Sequence, residues 1–232
     1  MLRKLGIRTW FGALPPWTEE FKKSVEPLKE FGWDFAIMND YQWFKREAEM
    51  QIGVEFPEES LISGTRKCGD WDPMIGEIFQ EMLKTGGYDY WFHFNLDAVY
   101  GRLSKWVPDD FLENIDIFGN DPGAVCGPFT AYRNCDRINA LYKRCPTWRE
   151  NILDPNFRGW DELDFSRAVG QESLKGNIVF ASGFFQAHDH IDEEHKQRQE
   201  LHFEPDGSLI DDVTGREIML YHMNQTRRWC VK

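Results

Sequence analysis

Asn95 and Asp97 occupy alternate positions at the end of an aromatic run, and their residue types and spacing suggest chemistry. The run is Tyr90–Phe94, and Gly101 follows shortly after. Aromatic residues favour strands, and a run that is apolar on both faces is typical of a central buried strand. Ligands of open α/β sheets bind at the edge where such strands end. A carboxylate there can hold a cation that holds a diphosphate, although Asn and Asp also commonly begin a turn.

A strand–helix–strand unit opens the chain and predicts a parallel sheet. Residues 5–9 form a short β-like run and residues 35–38 a short apolar run, and between them Thr18 can cap a helix to about residue 29 that Pro27 should kink or shorten. The second strand ends at Asp40, where an acidic residue is well placed to meet a ribose. No GxGxxG follows the first strand and no GxxxxGK[ST] occurs, so dinucleotide and P-loop sites are disfavoured. The predicted fold class is α/β, with a mostly parallel central sheet flanked by helices.

Four further local patterns predict where the later elements begin and break. Asp72 is predicted to cap a helix with Pro73 at its first position. Residues 124–132 read as a strand that Gly-Pro interrupts, which predicts a bulge or a close ligand approach. Asn134 is predicted to cap a helix through residue 142. Turns near residues 206 and 214 predict a hairpin leading into a last strand over residues 217–222.

Two charged clusters are ambiguous on sequence alone. Asp161, Glu162 and Asp164 stand where a helix starts, and acidic residues are favoured there without any catalytic role. The stretch over residues 188–195 is rich in His, Asp and Glu, but its order does not match HExxH, which favours a solvated surface. His222 lies on an apolar strand, where a histidine is usually a hydrogen-bonded core residue.

Composition excludes several classes of function. The 232 residues carry a formal charge of −12, which argues against a nucleic-acid partner but leaves room for a phosphorylated substrate whose charge a metal ion carries. Five cysteines without CxxC spacing argue against a zinc site or a disulfide framework and indicate a reducing compartment. No long apolar run suggests a membrane span, and the N-terminus is too short and polar for a signal peptide. We expect one cytoplasmic domain over residues 1–232.

Seven segments together span nearly the whole chain: residues 10–17, 35–40, 67–76, 88–101, 127–134, 161–162 and 220–223. Taken in order, they resemble the small glycosyltransferases and glycosyltransferase-like proteins of GT-A type associated with polysaccharide and lipopolysaccharide synthesis, in which the aromatic strand ends in a DxD motif. Two departures stand out: the first carboxylate of the DxD motif is Asn95, and the basic residue expected before Pro73 is Asp72.

The resemblance implies a metal-dependent transfer of a sugar from a nucleotide-sugar donor to a hydroxyl of a glycan or lipid-linked glycan acceptor. A UDP-sugar is favoured, with GDP or dTDP as possible nucleotides. Asp97 and His222 would bind Mn²⁺ or Mg²⁺, and Asp161 or Glu162 would be the general base, with Asp161 favoured. The implied nucleotide-sugar-binding residues are Thr9, Trp10, Asp40, Asp70, Asn95 and Gly127.

Two other hypotheses remain open at this stage. The departures at Asn95 and Asp72 also fit a catalytically weak or inactive relative that binds nucleotide or carbohydrate. A metal-dependent hydrolase centred on His188, Asp189 and His190 is the third hypothesis and the least favoured.

Overall fold

A computed structural model of the chain describes residues 1–62, 66–125, 127–183, 186–188, 201–212 and 214–223. The strands are β1 Lys4–Thr9, β2 Trp33–Met38, β3 Tyr90–Phe94, β4 Ala98–Tyr100, β5 Ile117–Gly119, β6 Phe129–Arg133, β7 Phe180–Ser182, β8 Gln186–His188, β9 Leu201–Phe203, β10 Leu209–Asp211, β11 Arg216–Ile218 and β12 Leu220–His222. The α-helices are α1 Thr18–Val25, α2 Tyr41–Ile52, α3 Glu59–Ile62, α4 Ile75–Ile78, α5 Gln80–Thr85, α6 Leu103–Trp106, α7 Asp109–Leu112, α8 Asp136–Asn139, α9 Trp148–Leu153 and α10 Ser166–Leu174. Three 3₁₀ helices cover Glu26–Phe31, Arg66–Met74 and Leu141–Arg144, and a π-helical turn covers Asp161–Phe165.

The main sheet has six strands in the order β2-β1-β3-β6-β5-β7. β1 is parallel to β2 and to β3, and β5 is parallel to β7. β6 is antiparallel to both of its neighbours, so it runs against the other five strands of this sheet. The predicted α/β class with a mostly parallel central sheet is therefore confirmed.

The chain reverses its direction of travel across the sheet between β1 and β3. From β1 it crosses to β2 on one side and then returns to β3 on the other side. Such a topological switch point leaves a crevice outside the carboxyl ends of the two strands, because the connections leave in opposite directions. Arg8 and Thr9 end β1, and Asn95 follows β3, so these residues border the crevice.

Both faces of the sheet are buried, which explains the nearly continuous aromatic sequence of β3. Its alternate residues pack into two separate hydrophobic clusters, Tyr90, Phe92 and Phe94 in one and Trp91 in the other. On one side Phe94 stacks on Phe21 of α1 with ring centroids 5.2 Å apart. On the other side Trp91 stacks on Tyr132 of β6 at 4.0 Å. Helices cover both faces, as predicted.

Two small sheets complete the described part of the chain. One is a β11-β10-β9 antiparallel meander, which confirms the hairpin predicted around residue 206. The other has the order β4-β12-β8, with β12 antiparallel to β4 and parallel to β8. Because β4 begins directly after Asp97, this pairing brings the C-terminal part of the chain to the end of β3. The predicted last strand over 217–222 is thus divided between two sheets, as β11 and β12.

Of four local predictions about where elements begin or end, one is confirmed and three are modified. Pro27 does end α1, which continues only as a 3₁₀ helix. Asp72 does not cap a helix, because its carboxylate forms an ion pair with Arg8 and α4 begins only at Ile75. β6 starts only after the Gly-Pro turn, at Phe129. Asn134 does not cap α8, because its amide donates to the Tyr88 carbonyl instead.

Over the described residues, no helix combines the length and the apolar character needed to cross a membrane.

Gly76 is predicted to be essential for the packing of α4 against β3. A Cβ at this position would lie 2.3 Å from Trp91 Nε1 and 2.5 Å from Asn139 Oδ1, two atoms that hydrogen-bond to each other at 2.8 Å. Gly76→Ala should therefore lower the free energy of unfolding by roughly 1–3 kcal/mol, the usual cost of overpacking. Chemical denaturation measures this loss.

Gly170 provides the matched control, because it also lies in a helix but a Cβ there would meet nothing within 4 Å. Gly170→Ala should raise the free energy of unfolding by up to about 1 kcal/mol through helix propensity. Equal stability of the Gly76→Ala variant and the unmodified protein would contradict the close approach of α4 to β3.

Candidate active site at the carboxyl edge of the sheet

Asn95, Asp97 and His222 meet where β3 ends. Asp97 Oδ1 lies 3.3 Å from His222 Nε2, and Asn95 Nδ2 lies 3.3 Å from the same nitrogen. The backbone N–H of Met223 donates to the Asp97 carbonyl at 2.8 Å, which anchors β12 to the turn. Tyr100 supports the turn from behind, since its hydroxyl accepts from the Asn95 backbone N–H at 3.1 Å. Asn95 and Asp97 thus flank a turn and also share a partner, so the two sequence hypotheses are compatible.

Asp97 carries a stable negative charge at this turn. Burial alone would raise its pKa, but the hydrogen bond and charge of His222 and the charge of Arg8 outweigh burial, so the pKa of Asp97 lies below its ordinary value. A carboxylate that stays ionised at neutral pH and faces an imidazole offers one oxygen and one nitrogen to a cation.

Arg8 is a member of the site that the sequence analysis did not identify. It is the second-last residue of β1, and its Nη1 lies 2.9 Å from Asp72 Oδ2 in a buried ion pair. Burial would lower the pKa of Arg8, but the charges of Asp72, Cys68 and Asp97 raise it above the ordinary value, so the guanidinium stays charged. The signal in the sequence was an arginine directly after the apolar Ile7 of a short strand, a position that needs a partner when it is buried.

Asp161 and Glu162 have very different surroundings although they are adjacent. Asp161 is 4% exposed, and burial together with the charges of Asp72 and Glu162 raises its pKa well above the ordinary value. Glu162 is exposed, and its Oε1 accepts from the Gly127 backbone N–H at 3.5 Å. The exposed Glu162 is therefore the residue of this pair that can meet a bound molecule, whereas sequence reasoning had favoured Asp161.

Gly127 lies between the two halves of the site. A Cβ at Gly127 would lie 3.6 Å from Asn95 Nδ2 and 3.6 Å from Glu162 Oε1, so this glycine separates the turn after β3 from the π-helical turn. The arrangement runs from Asp97 and His222 through Asn95 and Gly127 to Glu162. Groups that can bind a cation thus lie on one side and an exposed carboxylate lies on the other.

Asp40 and Asp70 hydrogen-bond to neighbouring backbone instead of to the turn after β3. The Asp40 carboxylate caps α2 by accepting from the Trp43 N–H at 2.9 Å. The fully buried Asp70 accepts from the backbone N–H groups of Arg158 and Gly159, both at 2.8 Å. Asp70 therefore fixes the loop that leads directly into Asp161.

Thr9 and Trp10 lie at the end of β1 and face the neighbouring loops. The Thr9 hydroxyl donates to the Cys68 carbonyl at 3.2 Å, and the half-buried Trp10 indole donates to the Ala13 carbonyl at 3.0 Å. Trp17, a residue that the sequence analysis did not single out, donates from its indole to the Leu96 carbonyl at 3.0 Å. The loop after β1 therefore rests on the turn that carries Asp97.

The donor atoms at the turn fit a divalent ion that is shared with a ligand. Within the ranges that the structure describes, no three His, Cys, Asp or Glu side chains form a group able to hold a metal. Asp97 and His222 supply one carboxylate and one imidazole, a mixed O/N set suited to Mn²⁺, and the remaining ligands would have to come from a bound molecule. The hydrolase hypothesis rests on His188, Asp189 and His190. His188 ends β8, whereas Asp189 and His190 lie outside the described residues.

Comparison with solved structures finds distant similarity over almost the full chain. A glycosyltransferase involved in the glycosylation of the major capsid of PBCV-1 is 12% identical, with 97% of this chain and 95% of that chain covered and a TM-score of 0.49. Mouse xyloside xylosyltransferase 1 is 10% identical, with coverage of 98% and 99% and a TM-score of 0.44. The galactosyltransferase LgtC, solved with donor and acceptor sugar analogues, is 13% identical, with coverage of 95% and 87% and a TM-score of 0.41. Similarity at these values carries no conclusion about the activity of this chain.

Sequence comparison assigns the chain to a family. No curated protein matches it significantly. The model of the Family of unknown function (DUF6625) matches residues 7–229, nearly the whole length, and the chain therefore belongs to that family.

Proposed function

We propose that this protein is a GT-A-type glycosyltransferase that moves a sugar from a nucleotide-sugar donor to a hydroxyl of a glycan or lipid-linked glycan acceptor. One observation carries the proposal: Asn95, Asp97 and His222 converge at 3.3 Å contacts at the topological switch point between β1 and β3. That crevice is where open α/β sheets bind their ligands. The thiols of Cys68, Cys135 and Cys145, none of which is in a disulfide, fit a cytoplasmic enzyme.

Asp97 and His222 would hold a divalent ion, Mn²⁺ or Mg²⁺. When bound, such an ion neutralises the charge that a leaving nucleoside diphosphate gains. Asp97 contributes a negative charge, because its pKa is lowered, whereas Asn95 is neutral. The Asn95 amide oxygen offers a neutral ligand or a hydrogen bond to the ribose. An acidic protein with a formal charge of −12 needs such help to receive a diphosphate.

The nucleoside would lie over the ends of β1 and β2. Asp40 follows β2 and is exposed, so its carboxylate can accept from a ribose hydroxyl in addition to capping α2. The half-buried Trp10 offers an aromatic face to the base, and Thr9 supports that loop. Asp70 acts from a distance by holding the loop before Asp161. A uridine nucleotide is favoured, with GDP and dTDP as the other candidates.

Glu162 would be the general base of an inverting transfer. The acceptor oxygen forms its bond to the anomeric carbon while the bond from that carbon to the diphosphate oxygen breaks, and the hydroxyl proton passes to the Glu162 carboxylate. Glu162 suits this role because it is exposed and lies across Gly127 from Asn95. Asp161 is buried with a raised pKa and would position the turn that carries Glu162.

A second candidate function is a non-catalytic protein that binds nucleotide or carbohydrate on the same fold. Two observations favour it. Asn95 stands where the resembled family has a metal-binding carboxylate, and the positive charge of Arg8 is already paired with Asp72. Both candidates bind a nucleotide, and only the first transfers or hydrolyses the sugar.

Thermal unfolding in the presence of nucleotides tests the proposal. UDP, GDP and dTDP are each added with Mn²⁺ or with EDTA. At least one of these nucleotides should raise the Tm with Mn²⁺ but not with EDTA. At a hundred times its Kd, a ligand stabilises the folded protein by about 2.7 kcal/mol. Mn²⁺ alone is the control for a nucleotide-independent effect. Equal shifts in EDTA would contradict metal-assisted binding, and no shift with any nucleotide would refute the function.

Release or transfer of the sugar then separates the two candidates. Nucleotide sugars of the base that binds should be consumed slowly with Mn²⁺, through transfer to water or to added glycans. Metal-dependent binding without any turnover would establish the non-catalytic candidate.

A further inference from the structure

The buried Arg8–Asp72 pair lies beside the nucleotide site and has no role in the mechanism above. Its side chains are 10% and 1% exposed and 2.9 Å apart. Arg8 Nε and Asp72 Oδ1 are buried, and neither has a hydrogen-bond partner within the described residues. The same holds for Asp161 Oδ1. Buried polar atoms without partners are rare because they cost free energy, so this cluster calls for a physical explanation.

Asp72 faces more negative than positive groups. Arg8 approaches it from β1, and Cys68 lies 4.0 Å from the other Arg8 nitrogen, Nη2. Its own 3₁₀ helix adds the charge of Asp70, which forms a 2.9 Å ion pair with the buried Lys67. The π-helical turn adds the charge of Glu162. The same turn carries the buried Asp161, whose pKa is raised by burial and by the charge of Asp72. Arg8 is thus the only direct cationic partner of Asp72 within the described residues, and its charge also reaches Asp97.

We propose that Asp72 sets the net charge of the nucleotide site: when Asp72 is protonated, Arg8 is left as an uncompensated cation at the end of β1, and the site holds a nucleoside diphosphate more tightly. This inference rests on the proposed function, because it assumes that a nucleotide binds at the switch point. Asp72 is a positioning residue here, since it acts on the ligand through Arg8.

The direction of the effect follows from the surroundings of Asp72. Burial raises its pKa to about 7, although the charge and hydrogen bond of Arg8 oppose this. Below that pH Asp72 is neutral and Arg8 contributes a full positive charge, whereas above it the pair is neutral overall. A bound diphosphate repels ionised Asp72, so binding should raise its pKa further. Nucleotide binding near neutral pH should therefore take up a proton.

Isothermal titration calorimetry with UDP, GDP or dTDP, whichever gives the Mn²⁺-dependent thermal shift, tests the inference between pH 6 and pH 8. We expect the affinity to fall from pH 6 to pH 8 in the unmodified protein by a factor about ten times larger than in Asp72→Asn. This is the size expected for one added charge near the ligand. Titration of the nucleotide itself affects both proteins, so the difference between the two profiles isolates Asp72.

Asp211→Asn is the matched control. Asp211 is also a buried carboxylate, but it lies in β10, where it accepts from Thr214 at 2.7 Å. This variant should keep the pH profile of the unmodified protein. If Asp72 were merely structural, Asp72→Asn would lower the affinity equally at every pH and leave the slope unchanged, which would overturn the inference.

The unmodified protein supplies a second measurement in case Asp72→Asn does not fold. Binding enthalpies in buffers of different ionisation enthalpy should reveal net proton uptake at pH 7. If nucleotide binds without proton uptake, or if the two pH profiles have the same slope, the inference fails while the proposed function stands. If none of the three nucleotides binds at any pH, both fail.

Discussion

Glu162→Gln is expected to lower sugar transfer by about 10²–10⁴-fold, the range typical of losing a general base, while nucleotide affinity stays nearly unchanged. The substitution keeps the size and polarity of the side chain, and the amide oxygen that it introduces can still accept from the Gly127 N–H. It removes only the ability to take a proton. A loss confined to the chemical step indicates an interaction made in the transition state. Single-turnover transfer rates measured beside donor affinities would show it.

Asp161→Asn is the contrasting variant at the neighbouring position. Because the pKa of Asp161 is raised by folding, the folded protein favours its protonated form, and this contribution to stability is lost as the pH rises through the folded-state pKa. Replacing it with a neutral amide should therefore raise the Tm at pH 8 and change it little at pH 4. We expect only a modest effect on transfer.

Asp164→Asn controls for the acidic character of the whole turn. Asp164 is in the same π-helical turn and accepts from Thr147 at 3.1 Å. Its substitution should leave turnover near normal and change stability by roughly 0.3–1 kcal/mol, as for a charge near a helix start. If Asp161→Asn abolishes transfer while Glu162→Gln turns over normally, Asp161 is the base. If both turn over normally, neither is.

What could be predicted from the sequence depended on the range of the interactions. The strand Tyr90–Phe94 and the turn at Asn95 were predictable because aromatic residues and turn residues act locally. The helix cap predicted at Asp72 was wrong because Arg8, far away in the sequence, forms an ion pair with its carboxylate. A local rule cannot weigh a partner that only the fold brings near.

The candidate site also depends on contacts between distant parts of the chain. The approach of His222 to Asp97 depends on the pairing of β12 with β4, and only the resemblance to a known family had suggested it. The difference between Asp161 and Glu162 is one of burial, since one side chain of the turn points inward and the next points outward. Adjacent carboxylates look equivalent in a sequence, and only the packing of the π-helical turn separates them.

Asp97→Ala is expected to remove the Mn²⁺-dependent part of nucleotide binding. Asp97 is the carboxylate among the converging side chains, so its loss leaves only an amide and an imidazole for the cation. We expect nucleotide affinity with Mn²⁺ to fall by at least on the order of 10–100-fold, the loss typical of disturbing the groups around a metal, and affinity in EDTA to stay the same. Asn95→Asp is the opposite variant, because it adds a second carboxylate 3.3 Å from His222 and should strengthen Mn²⁺ binding. Calorimetric titration with and without Mn²⁺ measures both changes. If nucleotide binding by Asp97→Ala depends on Mn²⁺ as fully as in the unmodified protein, Asn95 and Asp97 only form a turn and do not bind the ion.

His222→Ala decides whether the histidine serves the site or the core. Its ring lies 3.3 Å from Asp97 at the open end of β12, and its residue is 8% exposed. If the ring binds the cation, the variant should bind Mn²⁺ with nucleotide much more weakly, while the Tm of the metal-free protein stays close to that of the unmodified chain. Removal of the imidazole should also let the pKa of Asp97 rise, because the hydrogen bond and charge of His222 are the main groups that lower it. The metal-dependent affinity that remains in His222→Ala should consequently weaken further as the pH falls towards the acidic range. A large loss of metal-free stability with unchanged Mn²⁺ affinity would instead assign His222 to the core and leave Asp97 as the charged protein ligand among the converging residues.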